Sequence, residues 1–495
     1  MGRLQRIISR VSRAVVRRAP SEPGGRPLRA RYDAAQTTHE NRRHWANADS
    51  LDANSAASPI VRRTLRNRGR YEVANNCYVR GMVRTLAIDT IGVGPRLQMT
   101  TNDSVVNDEI EHAFGNWMKA ARLPAKLRTM RKARATDGEA FALTIYNPHL
   151  KDPVKLDIFL LEADHFTTPT MGLSLDNSNQ VDGIVFDAYG NPIEYHVLAR
   201  HPGDTSVGIN ANLLRFAAES VIHWFSEERP GQKRGIPDLV AALEGCAKSR
   251  RYRDAVVAAA ETAADHAMTI ETEQPPDGEA APLAALDLVD MEPRMATTLP
   301  AGWKLSQVKA EQPSTTYPEF SACQVGEQGR SINMPFNVAT GNSSGYNFAS
   351  GRLDYQTYGM DLKVERADIE DVILDPAFEA WYAEARLIEG YLSPAARSLQ
   401  SRPHKYFWPA RPHVDPAKEA RAAISLRQAG LLSESDYYGE RGLDWEEQQD
   451  QMEREWKRRD LKKLPHPWET KNGLPATTDA DQVVEEIEEN ANAGR

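Results

Sequence analysis

A serine in a glycine-rich stretch is the first candidate for chemistry in this sequence. Residues 341–345 read Gly-Asn-Ser-Ser-Gly, which matches G-x-S-x-G, the turn that presents a nucleophilic serine in many hydrolases. That turn requires a strand directly before Ser343 and a helix directly after it. The preceding "FNVAT" could form a short strand, but Gly345, Asn347 and Gly351 favour a continuing loop. A serine hydrolase is therefore an alternative that the sequence does not favour.

The same loop also has the composition of a phosphate-binding loop, because Gly, Ser and Asn precede a helical pattern. A Walker loop, however, needs G-x-x-x-x-G-K-[ST], with the lysine reaching the phosphates. The loop has no lysine, and the Walker pattern occurs nowhere in the chain. We predict no nucleotide and no other cofactor.

Metal-binding patterns are weak. His39 and His44 in "HENRRH" nearly form the zinc motif H-E-x-x-H, but a spacing of five places the two rings on different helix faces. The three cysteines, Cys77, Cys246 and Cys323, lie far apart without a CxxC pair. This pattern argues against a disulfide framework or a zinc site and is typical of a reducing cytosol. We predict no metal.

A basic cluster lies on a predicted long helix. The helix runs from Pro237 to about Met268, roughly 45–50 Å at 1.5 Å per residue, and it is too rich in alanine for a simple core helix. A long helix face made of small residues favours close packing against neighbouring helices, including other copies of the same helix. The cluster on this helix consists of Lys248, Arg250, Arg251 and Arg253. Two interpretations stay open: a solvated or salt-bridged face, or contacts with DNA phosphates.

The N-terminus is strongly basic. Residues 1–31 hold nine arginines and one glutamate, a local charge of +8, with apolar residues at helical spacing. This pattern is similar to that of a mitochondrial transit peptide, and it also suits binding to an anionic membrane or nucleic acid. A solvated arm that orders on assembly is equally consistent with it. A protein that binds membrane or nucleic acid through this arm is the third function class.

Composition limits the remaining classes. The chain has 495 residues, 41% of them hydrophobic, which predicts about three domains with substantial cores. It has 61 basic and 69 acidic residues, a net charge of −8, so any contact with DNA must be local. No apolar run approaches the roughly 18 residues of a membrane span.

The patterns along the chain predict an α+β protein. Helices are predicted from Ser58-Pro59 to about Ile91, with a break at Gly69, and again at 104–121. Short β-rich stretches at 137–226, separated by turns such as Gly190-Asn191-Pro192, predict an antiparallel sheet.

The second half is predicted to be mainly helical. Helices are expected at about 316–332 and 352–390, the second kinked at Asp375-Pro376. A compact helical domain should then begin at Pro416, with Gly430 ending its first helix and with Ser433 and Asp444 capping two more.

Five stretches, in order, resemble the lambda family of phage portal (head-to-tail connector) proteins. No single stretch is decisive, but their order over nearly the whole chain is specific. They are "RARYDAAQTT", "RNRGRYEVANNCYVRGMVRTLAIDTIGVGPRLQ", "HWFSEERPGQKRGIPDLVAALEGC", "YNFASGRLDY" and "KYFWPARPHVDPAKEARAAISLRQAGLLS".

The resemblance implies a dodecameric ring around a DNA tunnel, built from portal-type subunits. The implied parts are a basic arm (1–57), an α/β wing (58–235), a first stem helix (236–268), a clip (269–315), a second stem helix (316–335), a tunnel loop (336–351), a long kinked helix with the wing return (352–410), an all-α crown (411–465) and a disordered acidic tail (466–495). It also implies a structural protein of the virion, not an enzyme.

The resemblance assigns roles to individual residues. Arg352 is expected to anchor the loop, and the basic cluster to face DNA. The residues expected to line the narrowest part of the channel are Asn342, Ser343, Ser344, Tyr346 and Asn347. The clip acids expected to contact partners are Glu271, Glu273, Asp277 and Glu279. The implied partners are double-stranded DNA without sequence preference, the large terminase, capsid and scaffold proteins, and head-completion or tail connector proteins. We expect the arm to lie outside the tunnel.

Overall fold

The computed structural model describes residues 39, 42–167, 179–204, 212–264, 268–272, 303–307, 317–345, 348–409, 416–439, 441 and 443–464. Residues up to Asp52 form one unit, in which 42–47 make turns, and the rest of the chain forms a second. None of the described helices combines the length and apolar character needed to cross a membrane.

The second unit opens with three helices, α1 (Ala53–Ala56), α2 (Pro59–Asn75) and α3 (Cys77–Ile91). The start at Pro59, after Ser58, confirms the prediction. The predicted break at Gly69 is wrong: the chain breaks at Asn76, whose extended backbone separates the helices and whose side chain accepts from the Tyr78 amide. Gly69 serves packing instead, since a Cβ there would lie 2.6 Å from the Thr136 carbonyl oxygen.

Two further helices and a strand continue the chain: β1 (Arg96–Met99), α4 (Ser104–Ala120) and α5 (Leu123–Asp137). The apolar face of α4 enters the largest core, where the Phe114 ring lies 5.2 Å from Phe378 and 5.1 Å from Trp381. This core joins helices that are more than 250 residues apart in the sequence, so it fixes the long return helix against the first half of the chain.

The β-rich patterns predicted one antiparallel sheet; the structure confirms the antiparallel pairing but divides these strands between two sheets. One has the order β3-β2-β8, from β2 (Glu139–Tyr146), β3 (Leu156–Leu161) and β8 (Val221–Phe225). The other has the order β4-β5-β6-β7, from β4 (Gln180–Val181), β5 (Ile184–Phe186), β6 (Pro192–Leu198) and β7 (Leu213–Ala217). The predicted turn links β5 to β6, with Gly190 at φ +88°.

The Ala-rich helix is shorter than predicted. A 3₁₀ turn occupies Val240–Ala242, and α6 spans Leu243–Ala264, 22 residues or about 33 Å. Met268, predicted to end the helix, begins strand β9 (Met268–Thr272), which pairs antiparallel with β10 (Trp303–Gln307). The strand-like character of "GWKLSQVKA" is thus confirmed.

Three helices follow in this part of the chain: α7 (Tyr317–Arg330), α8 (Phe336–Thr340) and α9 (Phe348–Ile369). "FNVAT" is therefore a helix and not a strand, set between Pro335 at its N-cap and Gly341 at its C-cap. A π-helical turn, Glu370–Leu374, separates α9 from α10 (Asp375–Ala385) directly before Pro376. It interrupts the long helix at the predicted position.

The C-terminal part contains α11 (Pro394–Arg397) and β11 (His404–Phe407), which pairs with β1. The C-terminal helical unit follows, with α12 (Pro416–Gln428), α13 (Glu434–Gly439) and α14 (Trp445–Lys462). Ser433 and Asp444 accept the expected capping hydrogen bonds from the Asp436 and Glu447 amides.

Candidate functional site

Residues 341–345, the described part of the loop between α8 and α9, form an exposed turn without charged side chains. Gly341 ends α8 at φ +66°, and Gly345 has φ +87°. Asn342 shapes the turn, because its amide donates to the Asn337 carbonyl (3.1 Å) and its side chain accepts from the Ser344 amide (2.9 Å). All five residues 341–345 are exposed. The described part of the loop thus offers hydroxyl, amide and backbone groups to solvent.

Ser343 does not have the surroundings of a hydrolase nucleophile. A helix precedes it where the nucleophile elbow needs a strand. Within the described residues, its hydroxyl has no hydrogen-bond partner, so no histidine is in place to take its proton. The geometry therefore gives the hydrolase alternative no support.

A glycine-lined contact holds α8 beneath this loop. Gly329 of α7 lies so close to α8 that a Cβ there would come 2.6 Å from the Ala339 Cβ, and a Cβ at Gly326 would come 2.8 Å from the Phe336 ring. Asn337 and Ala339 are buried in the contact. The two glycines of α7 let α7 and α8 pack in direct contact, which gives these helix-weakening residues a role in packing.

Replacing Gly329 with Ala tests this contact. We expect the midpoint of thermal unfolding to fall, with a loss of about 1–3 kcal/mol in unfolding free energy, because the added methyl group collides with Ala339. In a free helix the same change would gain up to about 1 kcal/mol. Gly359→Ala in α9 is the matched control, since a Cβ there meets no atom within 4 Å. A midpoint for Gly329→Ala as high as that of the control would contradict the close contact.

An ion-pair cluster anchors α9, the helix that follows the loop. The Arg131 guanidinium of α5 donates to Glu365 of α9 (2.9 Å) and to Asp238 (2.8 Å) before α6, and the Thr90 hydroxyl also donates to Glu365 (3.0 Å). Tyr358 of α9 is buried, and its hydroxyl donates to Asp89 at 3.2 Å. One arginine thus ties the helix after the loop to the start of the Ala-rich helix.

The basic cluster on α6 is partly used inside the chain. Arg250 lies 2.8 Å from Glu72 of α2, and its guanidinium lies 5.0 Å from the ring of Tyr71. Arg253 is 3.4 Å from the Asn76 side-chain oxygen. These two arginines hold α6 against the junction of α2 and α3, which was the inter-helix interpretation of the cluster.

The other two members of the cluster face solvent. Lys248 pairs with Glu244 one turn earlier at 2.7 Å, an exposed pair that contributes little stability. Arg251 is exposed and has no partner in the described part of the chain. Arg251 is therefore the member most free to contact an anion, and the DNA-facing role of all four stays a prediction.

A second ion-pair cluster, which the sequence analysis missed, joins the sheets to the segment before α6. Glu139 is fully buried, and Arg234 donates to both of its oxygens, at 2.8 and 2.6 Å. Arg66 and His223 lie 3.3 and 3.2 Å from the same carboxylate. Burial acts to raise the pKa of Glu139, but the charges and hydrogen bonds of Arg234 and His223 outweigh it, and the pKa lies well below its usual value.

The cluster extends to the four-stranded sheet. Arg62 of α2 pairs with Asp182 at the turn between β4 and β5, and Arg234 lies 3.3 Å from the same carboxylate. Arg234 also donates to the Phe166 carbonyl at 3.1 Å. Arg234, which lies within "GQKRGIP", therefore connects helix α2 with both sheets just before α6 begins.

One group in the described residues brings three possible metal ligands together: Glu162, Asp164 and His201, with ligand atoms within 4.8 Å of one another. Arg70 already contacts both carboxylates, at 3.1 Å from Glu162 and 2.9 Å from Asp164. A guanidinium thus supplies the positive charge that a metal ion would bring.

Several expected site residues lie outside the described structure. Tyr346, Asn347, Glu273, Asp277 and Glu279 are outside the described residues, as are most of the basic arm and the acidic tail. For Glu271 in β9 and Arg352 in α9 only the backbone is described. The anchoring role of Arg352 and the partner role of the clip acids stay predictions.

Comparison with known families decides the assignment. Residues 39–359 match the family model described as "Phage portal protein, lambda family", which covers more than half of the chain. The chain belongs to this portal family. The resemblance found in the sequence is thus confirmed, as is the fold class, a mixed helical and antiparallel-sheet subunit.

Solved structures give more distant likenesses. The portal chain aligns with a chain of the virion of a native gene transfer agent (GTA) particle, at 14% identity and a TM-score of 0.41, covering 83% of this chain and 98% of that one. A chain from the neck of the native GTA particle, computed with C12 symmetry, has 16% identity and a TM-score of 0.38, covering 76% of this chain and 91% of that one. A chain from the neck of the empty GTA particle, computed with C6 symmetry, has 15% identity and a TM-score of 0.40, covering 84% of this chain and 100% of that one. No curated protein matches the sequence. The assignment therefore depends on the family match.

Proposed function

We propose that the portal chain forms a closed ring, expected to be a dodecamer, at one capsid vertex of a virion. The ring serves as the conduit for double-stranded DNA and as the docking site for the large terminase and, later, for head-completion or tail connector proteins. The observation that carries the conduit role is the loop at 341–345, which is exposed, uncharged and mounted between two anchored helices.

The chemistry of the loop suits a sliding duplex. Neutral hydroxyl and amide groups make weak contacts with phosphates that carry no sequence information. A ring of arginines would bind far more tightly, because each neutralised phosphate releases counterions and adds affinity. A loop built from Asn342, Ser343 and Ser344 therefore contacts DNA without holding it. In this proposal Tyr346 and Asn347 complete the lining, and Arg352 anchors the end of the loop.

Helix α9 supports assembly from several copies. Its inner face buries Tyr358 and Leu362, yet Leu353, Met360 and Val364 on another face are 65%, 63% and 62% exposed. Their spacing, i, i+7 and i+11, forms one stripe along the helix. A helix with a second apolar face needs a neighbour, and in a ring the next subunit supplies it.

The clip acids are the proposed contacts with terminase and head-completion proteins. Replacing Glu271, Glu273, Asp277 and Glu279 together with the corresponding amides should weaken docking, because surface charges set association rates and their salt dependence. We expect rings of normal size and slower, less salt-dependent terminase binding in surface plasmon resonance. A matched set of four amide substitutions in the acidic tail, at Glu485, Glu486, Glu488 and Glu489, is the control. Unchanged terminase binding by the clip variant would contradict the assignment of these four acids as docking contacts.

Ring formation is tested on purified protein. Size-exclusion chromatography with light scattering, followed by negative-stain electron microscopy, should show closed rings with a central channel. Particles that stay monomeric at all protein concentrations, or that form open filaments, would contradict the conduit proposal.

A further inference from the structure

The last turns of α14 present an exposed cationic face. Five side chains lie on one side of the helix, because they are spaced i, i+3, i+4, i+7 and i+8. We call them the basic face: Arg454, Lys457, Arg458, Leu461 and Lys462. All five are exposed, and Leu461, which lies among the four charges, is 85% exposed. The face thus combines four positive charges with one uncovered apolar side chain.

The described part of the chain neutralises little of this charge. Lys457 pairs with Glu453 one turn earlier at 2.6 Å, an exposed ion pair of little strength. Arg454 donates to a neutral group, the side-chain oxygen of Gln451, at 3.0 Å. Within the described residues no ion pair involves the other two cations, Arg458 and Lys462. The basic face is therefore available to an anionic partner.

The chain leaves α14 at the end of this face. Lys463 adopts the left-handed conformation, with φ 52°, and the Leu464 amide donates to the Arg459 carbonyl at 3.0 Å. This is the hydrogen bond that closes a Schellman motif, so the helix stops here. Residues 465–495 follow and lie outside the described structure. The C-terminal tail thus starts directly beside the basic face.

The sequence of the tail complements the basic face in charge and in apolar character. Residues 479–489 contain six acids and no basic residue, a charge of −6 against the +4 of the face. Val483 and Ile487 lie among these acids at a spacing of four, which places two side chains on the same side of a helix. The segment therefore offers both an anionic surface and an apolar contact for Leu461.

The tail is long enough to return to the helix that it leaves. Residues 465–478 separate α14 from the acidic segment, and a chain of that length spans up to about 50 Å when fully extended. A flexible chain of the same length has a root-mean-square span of about 20 Å. The basic face is about 12 Å long, from Arg454 to Lys462 at 1.5 Å per residue. A tether this short gives an effective concentration in the millimolar range.

We propose that the acidic segment 479–489 docks on the basic face of α14 in the same chain and covers it against other polyanions. The acids pair with the four cations, and Val483 and Ile487 cover Leu461. Exposed ion pairs are individually weak, so docking depends on several pairs together and on the tether. Salt should weaken it, because exposed charges are screened.

Zero-length cross-linking tests this docking on the full-length chain. A carbodiimide joins a lysine to a carboxylate that touches it, so Lys457 and Lys462 are reporters on the basic face. At about 50 mM salt, mass spectrometry should find both lysines joined to acids of residues 479–489, and about 500 mM salt should lower the yield about fivefold or more. In a mixture of isotope-labelled and unlabelled chains, each cross-linked product should come from a single chain.

Charge reversal gives the decisive arm. The variant Arg454→Glu, Arg458→Glu keeps both reporter lysines and brings the charge of the face to zero, so the yield should fall about tenfold. The matched control is Arg80→Glu, Arg84→Glu, which makes the same change at the same spacing on the exposed side of α3 and should cross-link as the wild type does. Adding Glu485→Lys, Glu489→Lys to the face variant should restore cross-linking between α14 and the tail.

Four results would overturn the proposal. They are a wild type without cross-links between the basic face and the tail, a face variant that cross-links as well as the control, a combined variant without recovery, and cross-links that join different chains. The last result would make a second copy the occupant of the face. Binding of duplex DNA by the wild type that the face variant loses, without any cross-link to the tail, would make nucleic acid the occupant.

Discussion

Glu139→Gln is expected to destabilise the portal chain by about 3–5 kcal/mol or to prevent folding altogether. Removing one partner of a buried ion pair leaves the other charge buried without compensation. Here the loss would affect Arg234, which binds the carboxylate at two points, and Arg66, which lies 3.3 Å away. The amide keeps the shape of the side chain, so the charge is the main change.

Thermal and urea unfolding of purified protein measure this effect. The control is Glu379→Gln, which disrupts an exposed pair with Arg402 and should cost no more than about 1 kcal/mol. If both variants unfold with the same midpoint, the buried ion pairs of Glu139 contribute no more to the free energy of unfolding than the exposed Glu379–Arg402 pair does.

The pH dependence gives an independent test of the same cluster. The folded-state pKa of Glu139 is depressed, so its contribution to stability is present above the unfolded value of about 4.5 and is lost as pH falls toward the folded value. The wild type should lose stability below about pH 5. In the Glu139→Gln variant this loss of stability with falling pH should be absent.

Converting the loop to a cationic ring is expected to stop DNA packaging. The variant Asn342→Arg, Ser343→Arg, Ser344→Arg adds three charges per subunit, and each phosphate contact lowers the rate at which DNA is released. We expect assembled heads with only a small fraction of the normal nuclease-protected DNA. Raising the salt concentration should partly restore packaging, because the affinity of phosphate contacts falls steeply with salt.

The neutral control separates charge from loop shape. Replacing the same three residues with alanine removes single neutral hydrogen bonds, each contributing about 0.5–1.5 kcal/mol at most, and should leave packaging near normal. The control also removes the Ser343 hydroxyl, so it would abolish any ester hydrolysis by that residue. Normal packaging by the arginine variant at low salt would contradict the proposed role of the loop.

Local chemistry explains which elements the sequence predicted well. The helix start at Ser58-Pro59 and the cap at Asp444 depend on residues within one turn of each other, and both are confirmed. Pro335 and Gly341 flank "FNVAT" as a helix start and stop would, so the same local rules favour the helix found there over a short strand.

Contacts between distant residues explain the failures. Gly69 was taken for a break because glycine weakens helices, whereas its role is to admit the Thr136 carbonyl, 67 residues later in the chain. Glu139 and Arg234 are 95 residues apart, and no spacing rule connects them. The exposure of Asn342, Ser343 and Ser344 could be expected from composition, but the glycine contact that supports them depends on how α7 meets α8.

The most direct test of the account is cryo-electron microscopy of DNA-filled particles assembled with this chain. We predict a ring of its copies at a single vertex, duplex density along the ring axis, and residues 341–347 at the narrowest point of the channel. DNA-filled particles that lack the chain, or a ring whose axis carries no DNA path, would contradict the proposal that this portal protein conducts DNA.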